Sequence, residues 1–289
     1  MNTPYPAILT IATTDSGGGA GIQADIKTIT VLGGYAASVA VALTAQNGAE
    51  VLGIHPLPTD FIRLQYKAVD EGFPIKAAKL GMLYSAPIIN TVADLLQHKK
   101  FPLVVDPVSM SQSGYPLLEK DAVAVLKERI LPLADLLTPN RQEAEMLAEM
   151  KISCQEEMEE AAHRILALGP KAVLVKGGHF TDALGFGLSP GKDIVVDWLV
   201  LQGGIIIPLA HRWVETTNNH GTGCTLAAAI ATYLGNSFTL EDAITEAQLF
   251  LTESLRTSFT PGRGAGCPNF LGGALAVFGY CDSFVNLRS

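Results

Sequence analysis

Two glycine turns and three isolated charges hold most of the chemistry that this sequence can offer. In Thr217-Asn-Asn-His-Gly221-Thr-Gly223-Cys224-Thr, a Gly-Thr-Gly turn opens directly into a run of small residues. The first N–H groups of a helix starting there have no partner inside the helix, and its dipole adds partial positive charge. Glycines let a phosphate approach such backbone closely. Gly221, Thr222, Gly223 and Cys224 are therefore candidates for an anion hole; the competing reading is an ordinary helix start packed closely on a sheet. Val175-Lys176-Gly-Gly-His179 sets a lysine and two glycines at a strand end, where open α/β sheets bind ligands. A β-turn with a solvated lysine also accounts for it. Asp106 follows the apolar run Leu103–Val105 and precedes Pro107, which places it at another strand end. Asn140 and Glu143, three apart after Thr138-Pro139, share one face at a helix start. Asp106 and Glu143 can jointly hold Mg²⁺ through water, although a first-turn acid is also favoured by the helix dipole alone.

Other chemistries find less support. The cluster Asp15-Ser-Gly-Gly-Gly-Ala-Gly21 contains G-x-G-x-x-A at Gly19, Gly21 and Ala24. The dinucleotide fingerprint also needs an acid about 20 residues on, and Ser38–Leu43 has none. A tight strand-to-helix turn remains the other reading. No G-x-x-x-x-G-K-[ST] occurs, so a P-loop is excluded. The 6 histidines and 4 cysteines show no zinc spacing.

These residues need a framework to bring them together. Short apolar runs (Ala7–Ala12, Ala77–Leu80, Leu103–Val105, Leu136–Leu137, Val173–Val175) alternate with amphipathic stretches. The stretches are Gly21–Leu32, Thr59–Glu71, Ala86–Gln97, Lys120–Arg129, Gln142–Met150 and Glu156–Leu168. That rhythm implies right-handed βαβ units and a mostly parallel sheet buried on both faces. Near Phe186–Pro208 it gives way to two ribbons, Asp193–Leu201 and Gly204–Pro208, around a Gly203-Gly204 turn, which predicts a β-rich edge. Helices at Thr225–Leu234 and Leu240–Leu255 follow, then an irregular Gly/Pro tail over 258–289. A single domain over 1–289 is expected. With 48% hydrophobic and 17% charged residues, a large core is expected too. A net charge of −8 without any Lys/Arg cluster argues against nucleic acid or an anionic membrane as partner. The longest apolar stretches, such as Ala36–Ala45, are too short to span a bilayer. The first basic residue is Lys27 and no C-x-x-C occurs, so a cytoplasmic protein with free thiols is expected.

Taken in order, the motifs resemble the hydroxymethylpyrimidine/phosphomethylpyrimidine kinases of thiamine biosynthesis, in the ribokinase-like superfamily. The segments are Ile11–Asp15 with Gly18–Asp25, Leu43–Asn47, Lys79–Met82, Val105–Val108, Leu137–Asn140 with Glu143-Ala144, Val175–His179 and His220–Thr225. The resemblance implies a three-layer α/β/α fold and two successive ATP-dependent phosphorylations, first of the pyrimidine hydroxyl and then of the monophosphate. It implies that Asp25 and Gln46 bind the pyrimidine, with Met82 and Val108 lining it. Asn140, Lys176 and Gly223 would meet ATP, Asp106 and Glu143 would place Mg²⁺, and Gly221–Cys224 would be the anion hole. A homodimer is implied as well. Many ribokinase-like kinases have a catalytic Asp at the position of Cys224. A thiol at a helix N-terminus has a lowered pKa, so a Cys224 thiolate acting as base is one expectation; a small packing residue acting through its N–H is the other.

The sequence departs from the family pattern at several points. Thr13 stands where Gly is usual, Ser16-Gly17 where Pro-Ser is usual, Gln112 where many have Lys and Asn219 where many have Thr. The tail segment Gly262–Pro268 carries an extra residue, with Phe270 where His is frequent. These bear on substrate and efficiency rather than fold; a neutral Gln112 predicts a disfavoured second phosphorylation. Three rivals to the pyrimidine kinase remain: a pyridoxine/pyridoxal kinase, a hydrolase using Cys224 and His220, and a non-catalytic ligand sensor.

Overall fold

The computed structural model describes residues 5–109, 117–119, 121–177 and 194–279. Gln112, His179 and the chain from Tyr280 lie outside the described residues. The elements run β1 (Ala7–Ala12), α1 (Gly21–Val31), β2 (Tyr35–Ala40), β3 (Ala42–Gln46), β4 (Val51–Pro56), α2 (Thr59–Gly72), β5 (Ile75–Leu80), α3 (Ala86–Leu96), β6 (Leu103–Val105) and α4 (Ala122–Arg129). There follow β7 (Leu136–Leu137), α5 (Arg141–Ala148), α6 (Gln155–Leu166), β8 (Ala172–Val175), β9 (Ile194–Leu201), β10 (Ile206–Arg212), α7 (Thr222–Gly235), α8 (Leu240–Arg256) and α9 (Phe270–Val277).

Eight strands form one sheet in the order β10-β9-β8-β7-β6-β5-β1-β2. From β2 to β8 every pairing is parallel, whereas β9 runs antiparallel to both neighbours. The expected β-rich edge is thus the β9–β10 hairpin. β3 and β4 form a separate antiparallel pair outside this sheet. All six residues of β1 are buried, as a strand covered on both faces requires. One apolar core lies between the sheet and α2 to α6, the other between the sheet and α1, α7, α8 and α9. The architecture is the expected three-layer α/β/α.

Two expectations need correction. The strands β2, β3 and β4 were not foreseen; β2 and β3 are rich in alanine, a poor strand former, and β4 is interrupted by Gly53 and ends on Pro56. The tail is not irregular throughout. Asn269 Oδ1 accepts the Gly272 N–H and caps α9, and Phe259 bridges to Cys267. Gly273 lets α9 lie against α8, since a Cβ there would fall 2.0 Å from Ser254 Oγ.

Candidate active site

The parallel strands deliver their carboxyl ends to one edge of the sheet. β1 leads to Thr13, β5 to Gly81 and Met82, β6 to Asp106, β7 to Asn140 and β8 to Lys176. The strand order reverses direction around β1, with β2 on one side and β5 on the other, which is the switch point where such folds bind ligands.

Asp106, Glu143 and Lys176 meet at the same carboxyl edge, beyond β6, β7 and β8. Lys176 Nζ lies 3.1 Å from Asp106 Oδ1 and 4.0 Å from Glu143 Oε2. Both acids are buried. Burial pushes the Glu143 carboxyl up to about 7, against the pull of Lys176 and with the help of Asp106. Burial alone would lower Lys176; Asp106 and Glu143 outweigh it and hold the ammonium above its ordinary range. Glu143 also serves the helix: its Oε2 accepts the Asn140 N–H at 2.8 Å, and Asn140 Oδ1 accepts the Glu143 N–H at 2.9 Å. This capping box, worth about 1 kcal/mol, fixes the acid in place. Glu143 is thus both a capping residue and a member of the acid–lysine cluster. Two buried acids sharing one lysine leave negative charge that a divalent cation would relieve. Among the described residues no three His, Cys, Asp or Glu side chains converge.

Helix α7 begins at Thr222, three residues before the stretch that periodicity marks, so the Gly-Thr-Gly turn is itself the helix start. Gly221 is the N-cap, with φ of 83°, and a Cβ there would fall 1.9 Å from the carbonyl oxygen of Gly19. A Cβ on Gly223 would lie 3.2 Å from Asp106 Oδ2 and 3.4 Å from Lys176 Nζ. The first turn of α7 therefore faces the acid–lysine cluster. Cys224 is half-buried beside it. Burial pushes its thiol up to about 11; Lys79 pulls the other way, while Asp25 and Asp106 add to the rise. Burial therefore works against the expected thiolate base.

Of the residues expected to meet the pyrimidine, Gln46 ends β3 and is half-buried. The Met82 carbonyl oxygen accepts both the Thr13 N–H at 3.2 Å and the Thr13 hydroxyl at 3.1 Å. Val108 borders a small crevice with Gly81 and Asp106. Asp25 does not join this group. It is sealed at 0% exposure, its Oδ1 and Oδ2 each 2.9 Å from Lys79 Nζ, and Oδ2 accepts the Thr10 hydroxyl at 2.6 Å. In this structure Asp25 is therefore a buried partner of Lys79. A charge taken wholly out of water needs such a partner. Asp25, with Cys224 and Asp106, keeps the Lys79 ammonium above its usual range despite burial.

Lys79 is one residue that the motifs quoted but gave no role. A lysine inside an apolar strand is the available signal, since it demands a buried acid. Asp15 is another. Its carboxylate accepts N–H groups from Gly17, Gly19 and Ala20 and lies 2.9 Å from His220 Nε2, which holds it below the usual carboxylate range despite burial. This pair clamps the first glycine loop to the start of α7. His220 is engaged with Asp15, so the geometry does not commit it as a base to Cys224, as the hydrolase would need.

The family model for phosphomethylpyrimidine kinase matches residues 15–269. The chain belongs to that family. The kinase is 44% identical over 275 residues to the thiamine biosynthesis bifunctional protein ThiED of Geobacter sulfurreducens, covering 93% of this chain and 53% of that protein. It thus spans about half the length of that relative. It is 40% identical to the hydroxymethylpyrimidine/phosphomethylpyrimidine kinase of Haemophilus influenzae, covering 91% of this chain and 95% of the relative. Its fold is similar to a Bacillus subtilis pyridoxal kinase solved as an ADP complex, with a TM-score of 0.82 and 31% identity over 93% of this chain and 98% of that one. The fold is ribokinase-like, and the enzyme is a phosphotransferase. No helix among the described residues is long and apolar enough to cross a membrane.

Proposed function

We propose that this kinase transfers the γ-phosphoryl group of ATP to the hydroxyl of 4-amino-5-hydroxymethyl-2-methylpyrimidine, and then a second phosphoryl group to the resulting monophosphate. The observation that carries this reading is the approach of the first turn of α7 to Asp106 and Lys176, within 3.2 and 3.4 Å of a Cβ at Gly223. Phosphoryl transfer asks for alignment and charge stabilisation more than covalent help. The N–H groups of Gly223 and Cys224 face the transferring group, and the Lys176 ammonium meets the charge on its oxygens. Asn140 ends the β7 loop, where it borders the nucleotide. Asp106 and Glu143 would hold Mg²⁺ through its water shell, and that ion supplies charge neutralisation on the phosphates. Cys224 acts through its backbone. Gln46, Met82 and Val108 hold the pyrimidine, and Asp25 supports them from below through Lys79.

A pyrimidine acceptor is preferred to pyridoxine because the relatives named for the pyrimidine match at 40% identity, against 31% for the pyridoxal kinase. The homodimer and the cytoplasmic location belong to the same proposal. The test offers MgATP with the pyrimidine and with pyridoxine, separately and in competition, and follows ADP release and the phosphorylated product. Preferential turnover of the pyrimidine is expected. No acceptor-dependent ADP release with either would overturn the kinase reading; preference for pyridoxine would overturn the substrate.

A further inference from the structure

The β3–β4 hairpin stands outside the main sheet, and β3 runs beside the loop that follows β1. The seam starts with backbone bonds, from the N–H of Val41 to the Ala12 carbonyl and from that of Thr14 to the Ala42 carbonyl. Beyond Ala42, hydroxyls take over. The Thr44 hydroxyl donates to the Thr14 carbonyl at 2.9 Å. The Ser16 hydroxyl donates to the Gln46 carbonyl at 2.7 Å and accepts the Gln46 N–H at 2.8 Å. One hydroxyl thereby gives Gln46 what a neighbouring strand's amide and carbonyl would give. The replacement matters because the β3–β4 ladder slips by one residue between Ala45 and Gln46, so β4 holds this position irregularly. On the far side the turn is tied down by the Ala265 N–H, which donates to the Gly48 carbonyl at 2.8 Å. The Gln46 side-chain amide stays outside all of these bonds. Thr13 braces Met82 in a similar way, through its N–H and hydroxyl. Both Thr13 and Ser16 are places where the sequence departs from the family pattern.

We infer that Ser16 is a positioning residue for the acceptor pocket: its hydroxyl fixes the backbone of Gln46 and so aims the Gln46 amide at the acceptor ring. This rests on the pyrimidine-kinase reading. Losing one net hydrogen bond at this exposed seam corresponds to about a three- to tenfold change in an equilibrium constant. Ser16→Ala is therefore expected to raise the acceptor KM about three- to tenfold, with kcat at saturating acceptor and the ATP KM little changed. Ser16→Thr, which keeps the hydroxyl, is expected to restore the KM.

The deciding measurement is a double-mutant cycle. Once Gln46→Leu has removed the amide, adding Ser16→Ala is expected to raise the KM no further. Amide hydrogen exchange across residues 42–56 supplies a readout independent of turnover, with faster exchange expected in Ser16→Ala. Additive KM effects, an unchanged acceptor KM, or a parallel rise in the ATP KM would each overturn the inference while leaving the function standing. A wild type inactive towards the pyrimidine would overturn the function, and the inference with it.

Discussion

Replacing Lys79 with Met tests the buried floor of the site. Methionine keeps the length of the apolar stem and deletes the ammonium. In the protein, Lys79 and Asp25 are both at 0% exposure, and Lys79 Nζ lies 2.9 Å from each carboxylate oxygen. Without Lys79, Asp25 keeps only the Thr10 hydroxyl as partner among these contacts. Breaking a buried pair by removing one member costs about 3–5 kcal/mol, because the other charge is left unpaired. At about 2–4 °C per kcal/mol for a domain of this size, Tm is expected to fall by about 6–20 °C. The double variant Asp25→Leu/Lys79→Met removes both charges and is expected to recover most of the loss, since an apolar replacement of a buried pair is often neutral. Urea unfolding followed by circular dichroism gives the midpoint and slope for wild type, both single variants and the double. A Lys79→Met cost below about 1 kcal/mol, or a double variant as unstable as the sum of the singles, would refute the argument. The double variant also bears on Asp25 directly. If Asp25 touched the acceptor, acceptor binding would collapse even where stability recovered; retention of the acceptor KM within a few-fold is expected.

Other outcomes follow from the same geometry. Cys224→Ser is expected to keep kcat within a few-fold with an unshifted pH profile, because the thiol is pushed up to about 11; a basic limb present in the wild type and lost in the variant would show a thiolate at work. Asp106→Asn is expected to raise the Mg²⁺ concentration needed for half-maximal activity while the fold is retained; an unchanged titration would remove Asp106 from the metal site. Glu143, raised from 4.5 to about 7, binds a proton in the folded state that the unfolded chain has released. Stability without metal should therefore fall as pH rises from about 4.5 to about 7, and Glu143→Gln should remove that part of the slope. Identical Tm-versus-pH curves for the two proteins would contradict this.

The helices and the buried strands of the main sheet were legible because their patterns are local. The run Leu103–Val105 followed by Asp106-Pro107 announces a strand end, and Asn140 with Glu143 announces a capped helix. The run from Tyr35 to Pro56 was not legible, because its alanines carry no period and its β3–β4 pair takes its place from hydroxyl contacts with another loop. In the site, the Gly-Thr-Gly turn, Lys176, Asp106 and Glu143 could be assembled from sequence because each sits at an element end. The burial of Asp25 was hidden for a physical reason: its partner Lys79 is 54 residues away, and no local pattern says that the two face each other in the interior. Asp15 and His220, 205 residues apart, were hidden in the same way. Burial around Cys224 also comes from several elements at once, so a rule about helix ends alone gives the wrong sign.

The near-contact between Gly19 and Gly221 limits how the two loops can change. With only 1.9 Å between the Gly19 oxygen and the place a Cβ would occupy on Gly221, and 2.5 Å between a Cβ on Gly19 and His220 Cδ2, neither loop has room for a side chain facing the other. The loop after β1 and the start of α7 are therefore in close contact along this seam. A library that randomises one loop must keep the other fixed. Drift in either should appear only as paired changes, which makes this seam the least evolvable part of a pocket whose outer wall is free to vary.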